Sequence, residues 1–62
     1  MLLTEDRVME LVAISTEYAN SRQLDVDCYL EAMLNPVNIG RSDAGVIVEL
    51  LIQYHKDWLA KL

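Results

Sequence analysis

Apolar residues recur at helical spacing through the last third of the chain, from Ser42 to Leu62. Projected at about 100° per residue, they cover roughly 240° of a helix, whereas a helix packed on one neighbour needs a stripe of little more than about 100°. This excess predicts a surface that another chain covers, either a second copy or a different protein. The residues predicted for this partner or dimer interface are Val46, Ile47, Leu50, Leu51, Tyr54, His55, Trp58 and Leu62.

An amphipathic pattern predicts a first helix from Glu5 to Ser21. Thr4 is a suitable N-cap, and Glu5 with Asp6 places negative charge in the first turn, where the helix dipole favours it. The apolar side of this helix is formed by Val8, Leu11, Val12, Ile14, Tyr18 and Ala19, with Ser15 among them. The opposite side carries Asp6, Glu10 and Glu17, which predict an acidic face.

A shorter second helix is predicted from Val26 to Leu34, capped by Asp25. The residue before a proline is disfavoured in the helical region, so Pro36 should end this helix. The segment Asn35–Arg41 then forms the main loop of the chain, after a first turn at Asn20–Leu24.

The third helix is predicted from Ser42, as its N-cap, to Lys61, and it should be the longest and most buried of the three. A strand is the alternative for Gly45–Ile52, because Val46–Val48 is a β-branched run. No second alternating apolar segment could pair with it, so the helix is favoured. The predicted fold is one all-α domain over residues 1–62, with helices at about 5–21, 26–34 and 42–61. Two copies of helix three are expected to pack against each other in a dimer.

The small size of the chain limits its stability. A chain of 62 residues buries only about 60% of the surface that its unfolded form exposes. Small domains of this kind are stabilised by disulfides, metals or oligomerisation. One cysteine and one histidine make the first two unsuitable, so the composition favours a homodimer.

The formal charge is −5, which argues against binding to nucleic-acid phosphates or anionic membranes. It favours a partner protein with a basic or apolar groove. The first residues have neither the basic nor the apolar segment of a signal peptide, and no apolar run is long enough to span a bilayer. A single unpaired cysteine suits a reducing compartment, so the sequence predicts a cytoplasmic protein.

Three groups of residues could carry chemistry, and each has a structural explanation. Asp25, Asp27 and Glu31 resemble a cluster of oxygen ligands, but helix capping explains the first two. Cys28 is expected to be a small buried or half-buried residue, because its neighbours are acidic and none is His or Lys. We therefore predict no metal and no cofactor.

His55 and the aromatic residues are the remaining candidates. His55 falls within the apolar arc of the third helix, which predicts a hydrogen-bonded core or interface residue, with a pH-sensitive contact as the alternative. Trp58, Tyr54 and Tyr29 are candidate anchors for a partner, Trp58 above all, although aromatic residues at helical spacing are also ordinary core residues.

No catalytic constellation is visible in the sequence. No nucleophile, base or phosphate-binding loop has the required spacing, so the chain is not expected to be an enzyme. The arginines are scattered and the third helix is apolar, so a DNA-reading helix is not expected either.

These observations favour a small acidic protein-binding module, which acts as an inhibitor, adaptor or regulatory protein by sterically occupying a partner. A bacterial or phage protein of this kind is the working hypothesis. The first alternative is a structural subunit of a larger assembly, which would be unstable alone. The second is a small transcriptional regulator or antitoxin, which would show salt-dependent DNA binding.

Overall fold

Three α-helices make up the domain in the computed structural model, which describes residues 3–62: α1 (Glu5–Ser21), α2 (Val26–Asn38) and α3 (Ala44–Ala60). The predicted all-α class is confirmed, and residues 3–62 contain no strand. Both α1 and α3 have 17 residues, so the prediction that the third helix is the longest was wrong.

Two helices begin at the predicted caps. The Thr4 side chain accepts a hydrogen bond from the backbone N–H of Arg7 at 3.2 Å. The Asp25 carboxylate accepts one from the backbone N–H of Cys28 at 3.0 Å. Each cap satisfies an N–H group that has no partner within its helix, which is why these short polar residues fix where α1 and α2 start.

The predicted end of the second helix was wrong, because α2 continues through Pro36 to Asn38. Proline removes one backbone hydrogen bond and crowds the preceding turn, but here only one short turn follows it. That turn brings Val37 against the core cluster. The segment predicted as the Asn35–Arg41 loop is therefore half helical, and the actual connection to α3 is residues 39–43.

The start of the third helix also differs from the prediction. Asp43, not Ser42, occupies the N-cap position, and no side chain caps the helix. The Asp43 carboxylate instead accepts two hydrogen bonds from the Arg41 guanidinium, at 3.0 and 2.8 Å. The carboxylate faces Arg41, and α3 begins at Ala44, with its N-cap one residue later than predicted.

The core lies where the three helices meet. Leu11, Val48 and Ile52 form its buried centre, and these partly buried residues pack around it: Leu3, Ile14, Leu34, Val37 and Leu51. Arg7 contacts Glu49 and Tyr18 contacts Trp58, so α1 and α3 run in the same direction. Tyr29, at the start of α2, contacts Tyr18 near the end of α1, so α2 runs the opposite way.

Both α1 and α2 end in a Schellman motif, with a residue in the left-handed region just after the C-cap. After α2 this residue is Gly40, at φ +65°, and the Arg41 N–H donates to the Pro36 carbonyl at 3.1 Å. After α1 it is Gln23, at φ 60°, and the Leu24 N–H donates to the Ala19 carbonyl at 2.9 Å. Glycine adopts this conformation without cost, whereas other residues are strained.

Exchanging the residue types at these two positions should move stability in opposite directions. We expect Gly40→Ala to lower the free energy of unfolding by about 1–2 kcal/mol, the cost of a left-handed backbone for a residue with a Cβ. The added methyl group would meet no atom within 4 Å, so the loss is a backbone effect. Gln23→Gly should raise stability by about 1 kcal/mol. Urea denaturation measures both, and a destabilising Gln23→Gly would contradict this account.

Candidate interaction surface

Three apolar side chains on α3 remain largely exposed at successive helical steps. Val46 is 50% exposed, Leu50 65% and Tyr54 52%. Residues four apart lie on one face of a helix, so these three form a continuous strip that we call the apolar row. The excess of apolar surface predicted for this helix is therefore present in the folded chain.

The other residues predicted for the interface lie in different places. Ile47, Leu51 and Trp58 are partly buried, and Leu51 packs against the core. Leu62 is 78% exposed but lies beyond the end of α3. His55 has no exposed surface at all, so within the single chain it belongs to the interior rather than to a surface.

All four aromatic residues and the only histidine gather at one end of the bundle, around Tyr18. Its ring stacks on Tyr29, with centroids 5.4 Å apart, and meets the edge of Trp58 at 4.8 Å. The Tyr18 and Tyr54 hydroxyls lie 3.2 Å apart, within hydrogen-bonding distance. The Arg22 guanidinium covers Tyr18 and Trp58, 5.6 and 5.1 Å from their ring centroids. Trp58, the predicted anchor, is thus held within this cluster.

His55 completes the cluster from inside. Its Nε2 lies 3.4 Å from the Tyr29 hydroxyl, and its ring centroid lies 4.7 Å from that of Tyr18. Its Nδ1 is buried and has no hydrogen-bond partner among residues 3–62. The burial lowers the pKa of His55 and raises the pKa of Tyr29 to about 12, since both charged forms would lose their hydration. The sequence left a core and an interface position open for His55, and in the single chain it lies in the core.

The stability of the fold should fall as the pH drops below about 6.5. Burial lowers the pKa of His55 from its ordinary value of 6.5, so the unfolded chain takes up the proton first and unfolding is favoured. The groups that face the ring are the phenols of Tyr18, Tyr29 and Tyr54, which bring no negative charge near it.

The measurement is the urea midpoint at about pH 7.5 and about pH 5.5, a range that lies above the titration of the carboxylates. The native chain should unfold at lower urea at the acidic pH, and His55→Gln should show a much smaller change. Equal midpoints of the native chain at both pH values would contradict the assignment.

The predicted acidic face is not continuous, because Glu10 takes part in ion pairs. It pairs with Arg7 and with Lys56, whose Nζ lies 2.6 Å from Glu10 Oε1, and Arg7 also pairs with Glu49. These cations lower the pKa of both glutamates, through the hydrogen bond from Lys56 for Glu10 and from Arg7 for Glu49. Of the three residues predicted for this face, Asp6 and Glu17 are exposed.

The outer side of α2 carries Cys28 beside a shallow depression, lined by Leu24, Asp25, Cys28, Tyr29 and Ala32. Cys28 is exposed, so the prediction of a buried or half-buried thiol was wrong. It lies in the first turn of α2, directly after the exposed Asp27. The negative charge of Asp25 raises its pKa, which keeps the thiol protonated and poorly nucleophilic.

The described part of the chain, residues 3–62, contains no group of three His, Cys, Asp or Glu side chains placed to hold a metal ion. None of the helices within residues 3–62 is both long enough and apolar enough to cross a membrane.

Sequence reasoning missed the aromatic cluster and the ion pairs between α1 and α3. Both depend on which faces of different helices meet, and a helical projection of each segment does not contain that information. One signal was present: Tyr18 lies on the apolar side of its own helix, and so do Tyr29 and His55. Aromatic residues on three apolar faces indicate a shared cluster once the helices pack.

No protein-family model matches this chain, and no significant match is found among curated proteins or among solved structures.

Proposed function

We propose that this chain is a small non-catalytic protein-binding module that acts as an inhibitor, adaptor or regulatory protein. Its binding surface is the apolar row on α3, and it acts by occupying an apolar groove on its partner. The observation that carries this proposal is the exposure of three consecutive members of one helical strip, Val46, Leu50 and Tyr54, at 50%, 65% and 52%.

An isolated exposed apolar residue is common on proteins, but a contiguous apolar strip is typical of a surface that another molecule covers. Met9 illustrates the difference. It is 61% exposed on α1. Of its helical neighbours, Glu5, Asp6 and Ala13 are charged or small, and the one larger apolar neighbour, Val12, is partly buried. An amphipathic helix that lays an i, i+4, i+8 strip into a groove is a recurring mode of protein recognition.

The rest of the domain supports this role. The aromatic cluster and the Arg7–Glu49 and Glu10–Lys56 ion pairs fix α3 against α1. A rigid helix loses little conformational freedom when it binds, so more of the contact free energy appears as affinity. The formal charge of −5 would accelerate approach to a groove with a basic border.

Capture of the partner with variants of the row tests the proposal. The native chain, Leu50→Asp and Met9→Asp are immobilised and exposed to an extract of the source cells, and the bound proteins are identified by mass spectrometry. A partner of the row should be retained by the native chain and by Met9→Asp and lost with Leu50→Asp. Retention of the same proteins by all three would contradict the proposal.

A further inference from the structure

We propose that the occupant of the apolar row, when the chain is alone, is a second copy of the chain packed antiparallel on α3 about a two-fold axis near Ile52. The inference rests on the proposed function, because it names a partner for the same surface. It is carried by the symmetry of the apolar and charged positions along the exposed side of α3.

The apolar positions are symmetric about Ile52. One helical step beyond the apolar row lies Trp58, which is partly exposed, so the apolar positions on this side of α3 are 46, 50, 54 and 58. An antiparallel copy centred at residue 52 sets Leu50 opposite Tyr54 of the second copy and Val46 opposite its Trp58. Each apolar side chain then meets another apolar side chain, as a two-fold interface requires.

The charged ends of the same face are complementary in this arrangement. Asp43 and Lys61 lie equally far from Ile52, about 13 Å along the axis in opposite directions at the ordinary helical rise. They are the N-cap and C-cap of α3 and lie about five full turns apart, so a helical projection places both in line with the row. Antiparallel packing brings Asp43 of each copy, which also accepts hydrogen bonds from Arg41 of its own chain, to Lys61 of the other, twice.

A parallel dimer would instead place Lys61 beside Lys61 of the second copy, and Asp43 beside Asp43. At the shallow crossing of about 20° that helix bundles favour, the ends of the two helices stay close enough for these contacts. The orientation is therefore set by charge, while the apolar row supplies the contact area.

The side of α3 that carries the apolar row also has no net formal charge, although the protein as a whole is acidic. Arg41, which pairs with Asp43, and Lys61 together balance Asp43 and Asp57, so the formal charge of −5 comes from the other charged residues of the chain. Two copies can therefore approach through this face without direct repulsion.

Sedimentation equilibrium of charge-reversed variants tests the proposal. The native chain should have twice its mass of 7.1 kDa. Lys61→Glu should raise the dissociation constant about tenfold, because it sets two carboxylates face to face at both ends. Adding Asp43→Lys to this variant exchanges the two charges and should restore the native dissociation constant.

The control separates this contact from a change in net charge. Lys61→Glu combined with Glu17→Lys keeps the charge of −5, but Glu17 lies on the outer side of α1 and should restore nothing. Circular dichroism establishes that each variant is folded. Recovery by Asp43→Lys alone supports the antiparallel dimer, whereas equal recovery by both, or recovery by neither, overturns it.

A native chain that stays monomeric up to about 1 mM, the weak end of specific binding, would also overturn the second copy as occupant. That result would leave the proposed function standing, since capture of another protein through Leu50 does not require a dimer. Failure of the capture experiment together with a stable dimer would have the opposite meaning, because the row would then serve only self-association.

Discussion

Replacing Tyr18 with Ala should unfold most of the protein. Tyr18 is 7% exposed and its ring contacts Tyr29, Tyr54, His55 and Trp58, so it joins all three helices at one end of the bundle. Truncation of a buried aromatic residue costs about 3–5 kcal/mol. A domain of 62 residues has a total stability of only about 3–9 kcal/mol at the usual value per residue. Circular dichroism should show that the helical signal is largely lost at room temperature.

Tyr18→Phe is the matched control, because it keeps the ring and removes only the hydroxyl. That hydroxyl lies 3.2 Å from the Tyr54 hydroxyl, and Tyr54 is exposed enough to bond water instead. The loss should be about 1 kcal/mol. A loss as large as that of Tyr18→Ala would show that the hydrogen bond, and not the ring packing, holds this end of the bundle together.

Replacing Leu50 with Asp should abolish association and leave the fold intact. Leu50 is 65% exposed at the centre of the apolar row, so its side chain contributes little to the core. The free energy of unfolding, compared for monomers, should change by no more than about 1 kcal/mol. A charge at the centre of a buried contact should weaken binding at least about 30-fold, the effect of a hot-spot residue. Urea denaturation and sedimentation at matched concentrations measure the two effects.

The same substitution at the neighbouring residue, Leu51, should instead destabilise the fold. Leu51 is partly buried and packs against the cluster of Leu11, Val48 and Ile52. Leu51→Asp should therefore destabilise the fold by several kcal/mol, because it places a charge against the core. If Leu50→Asp unfolds the protein as Leu51→Asp does, the apolar row belongs to the core of a single domain and is not a binding surface.

The sequence predicted the helices better than the contacts between them. The N-caps at Thr4 and Asp25 are local features, set by one side chain and one backbone N–H three residues later. The predicted end of α2 was wrong because Pro36 does not end the helix. The helix closes at Gly40, four residues further on. In that turn the tertiary packing of Val37 outweighed the local preference of Asn35 before proline.

In the candidate surface too, features of a single helix were predicted and contacts between helices were not. The exposed row of Val46, Leu50 and Tyr54 follows from an apolar arc that is too wide for one neighbour, which a sequence displays directly. The burial of His55 in the aromatic cluster does not follow from that arc, because it depends on how α1 and α2 pack over α3. For the same reason Glu10 was assigned to a free acidic face, although Arg7 and Lys56 neutralise it.

Photo-crosslinking in living cells tests most directly whether the apolar row is the binding surface. A photoreactive amino acid is placed at Leu50 in the row, at Met9 on the outer side of α1, or at Ala32 on the outer side of α2, three exposed positions. We predict covalent adducts, with a second copy or with another protein, from position 50 and none from positions 9 and 32. Adducts from position 32 or position 9, with none from position 50, would contradict the account.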